Sequence, residues 1–139
     1  MTLTTSQLAL LGYLGWTMLL ALLLVMHRGL FMLGGKRRID GFTADNKGLS
    51  AFGERAARAH ANAVENLPVA GGILMYAIAS QQTAVTDPAA VCLLLLRVAQ
   101  SLIHLSGTRP WQIWLRLSCF LAQLAICAYW LLGLAGVSV

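Results

Sequence analysis

The segment at residues 54–68 reads ERAARAHANAVENLP and sets several ionisable and amide side chains just ahead of an apolar run. At 100° per residue, Arg55, Arg58, Asn62 and Glu65 fall within about 80° of arc, one narrow stripe along a helix. His60 points elsewhere and reads as a surface or interface residue. A polar stripe that continues toward a membrane interior must face protein, water or a ligand, because lipid cannot satisfy it.

Two further stripes follow. Arg97 and His104 are seven residues apart, with Gln100 and Ser101 between them on the same face. An arginine near mid-membrane costs roughly 2.5–3.5 kcal/mol on insertion scales, so Arg97 needs a partner, and Glu65 is the expected one. Arg116, Cys119, Gln123 and Cys127 form the third stripe. Collected, Arg55, Arg58, Arg97 and Arg116 outline an anion site with one carboxylate and two amides nearby. The planar fork of arginine grips carboxylates in pairs of hydrogen bonds, and the excess of Arg over Glu suits a dianionic ligand. A second reading stays open: Arg–Glu pairing that fixes helix register with no ligand at all.

Cys92, Cys119 and Cys127 lie in apolar runs without the spacing of a disulfide framework or metal site, so they read as packing residues and no metal is expected. Trp111, Trp114 and Trp130 read as interfacial anchors.

The elements that must position these groups follow from composition. Of 139 residues, 58% are hydrophobic and 11% charged, against roughly a quarter charged in an average soluble domain. A crossing needs about 20 apolar residues, so the chain holds four crossings and no separate soluble domain. The expected fold is all-α, a single four-helix transmembrane domain over residues 1–139 with helices at about 3–33, 50–81, 88–106 and 112–136. Residues 3–26 carry no charge and are too long for a signal-peptide core, so they read as the first crossing.

Residues 34–50 read as a loop, with Ser50 as the N-cap of the second helix. Pro68 should kink that helix and Gly71 and Gly72 should allow a close neighbour. Residues 81–88 read as a polar turn, with Pro88 in the first turn of helix three. Loop one carries Lys36, Arg37, Arg38 and Lys47, and the third connection carries Arg109 with Arg116 close behind. By the positive-inside rule both are cytoplasmic. The net charge of +5 therefore points to anionic headgroups or an anionic ligand, not to nucleic acid.

The segment at 54–68, an Arg pair three apart followed by Asn and Glu, resembles the second-helix signature of the MAPEG family, the membrane-associated proteins in eicosanoid and glutathione metabolism. The resemblance extends over the whole chain in length, helix layout and orientation. Its specific motif is confined to helix two and the Arg97 region. It implies a homotrimer in a membrane, the bacterial inner membrane for a member of this type, with glutathione sites between neighbouring subunits. Glutathione would be held by Arg55, Arg58, Asn62, Glu65, Arg97 and His104. Its thiol would be activated by Arg116 toward a lipophilic small-molecule substrate, as in a glutathione transferase or peroxidase-like enzyme. The sequence departs from the family in carrying His104 where a Tyr is usual. Arg116 matches the activating arginine only if the turn at 107–113 holds about three extra residues, and Arg109 is the competing match. A catalytically inactive scaffold and a small oligomeric transporter are the alternatives these departures leave.

Overall fold

A computed structural model describes residues 2–35, 43, 46, 47 and 50–137. Lys36, Arg37 and Arg38, on which much of the orientation reading rests, lie outside the described residues.

Helix α1 spans Thr5–Leu33 and opens on Thr4, whose side chain accepts from the Gln7 amide while the Gln7 side chain accepts from the Thr4 amide at 2.9 Å. This reciprocal cap satisfies two donors that the first turn leaves orphaned. The buried face of α1 is Ser6, Ala9, Tyr13, Thr17, Leu20 and Leu24, spaced by three and four. Helix α2 spans Ala51–Ala79, capped by the Ser50 hydroxyl, which takes the Gly53 amide at 2.9 Å. Its buried face in the first half is Gly53, Ala56, Ala57, Ala59 and Ala63, small residues that let neighbouring backbones approach. The helix continues through Pro68.

Helix α3 spans Thr83–Ser106 and begins five residues earlier than the sequence suggests. The turn before it is short because Gln81 adopts a left-handed conformation (φ 59°) and the Gln82 amide reaches back to the Ala77 carbonyl at 2.8 Å. That closes α2 at once and lets α3 start. Pro88 consequently sits in the second turn, where its missing N–H removes a single helical bond. Helix α4 spans Pro110–Leu134, with Pro110 in its first turn, where a ring nitrogen forfeits no helical bond.

Helices α1, α3 and α4 are long and apolar enough to cross a membrane; α2, polar in its first half, does not meet that measure. Its crossing follows from topology instead. The Ser6 amide and hydroxyl both donate to Asp87 Oδ1, at 2.7 and 2.6 Å, so α1 and α3 start at the same end of the bundle. Two crossings in one direction require a return between them, and α2 is the described helix that supplies it. The result is an up-down-up-down bundle, with connections one and three at one end, called here the loop end, and the termini and the 80–82 turn at the other, the terminus end.

The principal core lies in the terminus half: Ala9, Tyr13, Ala70, Ile73, Leu74, Ala90, Leu93, Cys127 and Trp130. Trp130 is fully buried, not an interfacial anchor. It shares the inward face of α4 with Gln123 and Cys127, and that face packs on α3. Trp111 and Trp114 are exposed. Of the cysteines, Cys127 is buried, Cys119 half-buried and Cys92 exposed, so Cys92 does not pack within the bundle. At the loop end α1 is tied to α2 by His27 Nε2 against the Ser50 hydroxyl at 3.0 Å. There Arg28 also donates to Asn46, which in turn donates to the Gly53 carbonyl.

Candidate functional site

Arg97 projects from α3 into the bundle and is 1% exposed. Its Nη1 donates to Asn62 Oδ1 at 2.7 Å. The guanidinium carbon sits 5.4 Å from the centroid of the Tyr13 ring, a cation–π distance. Its Nε is buried without a hydrogen-bond partner. The partner is thus an amide and an aromatic face, not Glu65 as expected. Glu65 is exposed, one turn beyond Asn62 and rotated about 60° away from it at helical pitch. Neutral partners leave the Arg97 charge uncompensated.

Arg116 in α4 is half-buried and its Nη1 lies 2.9 Å from His104 Nδ1 on α3. Its backbone carbonyl accepts from Gln100 Nε2 at 3.3 Å, and Gln123 Nε2 donates to Gln100 Oε1 at 2.9 Å. Buried amides on two helices therefore fix the backbone of the residue whose side chain His104 holds. Arg109, the competing match, precedes Pro110 and is exposed; its amide donates to Gln112 Oε1 at 2.8 Å.

On α2, Arg55 Nε donates to the Leu105 carbonyl at 2.9 Å, which spends it on satisfying the end of α3. Arg58 is exposed. Arg116 contacts the His104 imidazole, and the charges of Arg97 and Arg58 also lie within electrostatic reach of it. Arg58, Asn62, Arg97, His104 and Arg116 are brought together; Glu65 and Arg55 flank them. His60 is half-buried on another face.

Tyr13 is the residue that sequence reasoning missed. Its hydroxyl donates to the Ala63 carbonyl at 3.4 Å, so the ring is braced against α2 while its face receives Arg97. The available signal was the spacing of Ser6, Tyr13 and Thr17 on one side of an otherwise apolar helix. An apolar groove of about 520 Å³ between α2 and α4, lined by Pro68, Val69, Gly72, Ile73, Leu131 and Leu134 among others, opens toward the terminus end. It has no charged lining residue and lies apart from the arginine cluster.

Fold and site together define a membrane-spanning four-helix protein with a cationic, partly buried cluster in its loop half. The model of the MAPEG family matches residues 6–136, and the chain belongs to that family. No curated protein and no solved structure matches it.

Proposed function

We propose that the protein binds glutathione and acts as a glutathione transferase or peroxidase-like enzyme on lipophilic electrophiles. The observation that carries this reading is the pair of arginines on neighbouring helices, Arg97 on Asn62 and Tyr13 and Arg116 on His104, held by neutral partners that leave their charge available. The donor set fits the ligand. Glutathione brings two carboxylates for the guanidinium groups and an ammonium for the exposed Glu65. Arg97 Nε is a buried donor still without a partner, the kind of group whose desolvation a bound acceptor repairs.

Arg116 suits the thiol. A cation beside a thiol favours the thiolate, which is the nucleophile. The thiol proton passes to water, and the sulfur electron pair forms the new bond to carbon of an electrophile arriving from the bilayer. The pair of the bond that breaks departs with the leaving group or, in an addition, moves onto the electrophile, which takes a proton from water. Bringing a water-soluble and a lipid-soluble reactant to one place supplies much of the rate.

A homotrimer with sites between subunits is part of the same proposal. Arg58, Asn62, Glu65, Val69, Gly72 and Tyr76 recur along one face of α2 at alternating spacings of four and three, and all but half-buried Asn62 are exposed. On a lone protomer that face would set a carboxylate against lipid; a neighbouring copy would cover it. Loops one and three are assigned to the cytoplasm, and the membrane to the bacterial inner membrane.

The test is glutathione binding to detergent-solubilised protein. Arg58→Ala should weaken it by about tenfold to a hundredfold, the worth of a charge-assisted hydrogen bond. Absence of binding at millimolar glutathione would overturn the reading and favour a silent scaffold; proton-coupled flux in vesicles would point to transport.

A further inference from the structure

We infer that His104 is a positioning residue for Arg116: a neutral imidazole, protonated on Nε2, that fixes the guanidinium through Nδ1 without neutralising it. This rests on the proposed function only for its consequence in catalysis; the tautomer stands on geometry.

A guanidinium has five N–H donors, no acceptor, and keeps its proton in proteins. At 2.9 Å from Arg116 Nη1, Nδ1 must therefore accept. An imidazole that accepts at Nδ1 and is neutral carries its proton on Nε2.

The choice of partner has an electrostatic consequence. A carboxylate would hold Arg116 as firmly but cancel its charge toward anything bound nearby. An imidazole holds it with one hydrogen bond and leaves the full charge, with the remaining N–H donors, facing an anion or a developing thiolate. The arrangement also leaves no slack: Gln100 and Gln123 pin the Arg116 backbone while His104 pins the side chain.

The same arrangement makes the holder conditional. The charged groups that act on the ring are Arg116 on α4, in contact with it, and, through their charge, Arg97 on its own helix and Arg58 on α2. Arg55 of α2 is engaged next door on the Leu105 carbonyl. Protonating His104 would turn the acceptor into a donor aimed at another donor, among cations. Arg116 would then swing free. Thiol activation should accordingly fall on the acid side of a His104 titration, while ligand carboxylates still find Arg58 and Arg97.

Two measurements test this. Nitrogen NMR of the histidines in detergent or nanodiscs, with no ligand present, should show His104 near neutral pH as the Nε2–H tautomer with a bare Nδ1. Arg116→Ala should shift the Nδ1 resonance. Glutathione conjugation of a generic electrophile should then drop about a hundredfold in kcat, with KM little changed, in His104→Phe, the scale expected for a displaced catalytic group. His104→Gln, whose amide oxygen can accept, should recover most of that rate and lose the acid limb of the pH profile. A proton on Nδ1 in the wild-type protein would overturn the inference. So would a His104→Phe variant as active as His104→Gln. If the wild-type protein neither binds nor conjugates glutathione, the proposed function fails, and the NMR result still decides the role of His104.

Discussion

The two halves of the bundle differ in what they bury. In the terminus half, bulky Trp130, Tyr13, Leu74 and Leu93 interlock with alanines in a dry cluster. In the loop half, α2 presents Ala56, Ala57, Ala59 and Ala63. They meet Leu20 and Leu24 of α1 in two small apolar clusters, and beside these the buried side chains are polar: Arg97, Gln100 and Gln123. The terminus half is filled by one large apolar cluster; the loop half combines smaller ones with buried hydrogen bonds and charge. Tyr13 joins the two, packed in the large cluster with its ring face toward Arg97; away from it, the core and the arginine cluster should respond differently to mutation.

The largest effect expected is on the packed half. Trp130→Ala removes a fully buried indole and should cost about 3–5 kcal/mol. A lower midpoint of thermal unfolding in detergent would register it, while the folded fraction keeps its glutathione affinity. Arg97→Met should do the reverse. A buried charge without a counter-charge is costly to desolvate, so on its removal the midpoint should hold or rise while affinity falls about a hundredfold, some 2.7 kcal/mol. A large loss of stability in Arg97→Met would erase the division between the halves. The smallest effect concerns a helix end. Helices α2 and α4 both close on a left-handed residue, Gln81 and Gly136. Gln81→Gly should stabilise by about 0.5 kcal/mol, the ~1 kcal/mol left-handed strain less the added chain entropy of glycine. A calorimetric comparison of the two proteins checks it.

How far the sequence reveals this depends on what helical spacing encodes. Spacing reports direction around a helix, so the inward stripe of Arg97, Gln100 and Ser101 is legible, and all three are buried. It does not report which neighbour fills the arc opposite. Hence Glu65 looks like the natural partner of Arg97 by charge, yet Asn62, one turn earlier, faces the bundle and takes the bond. Aromatic residues mislead for a related reason. A Trp near the end of a span reads as an interfacial anchor, but Trp130 belongs to the Gln123–Cys127 face. Tyr13, in an uncharged run, reads as one more apolar residue until the ring is seen beneath Arg97. Pro88 carries a strong helix-start signal, and the left-handed Gln81 overrides it because no local rule favours glutamine there.

The Ser6–Asp87 contact bears on how the chain comes to be assembled. The residues are 81 apart in sequence, and the carboxylate receives both the amide and the hydroxyl that the opening turn of α1 offers. During synthesis α1 is made first, but the group that fastens its outer end emerges only with α3. The end of α1 near Ser6 is therefore fastened only after the third helix has been made, whereas its other end can already engage α2 through His27 and Ser50.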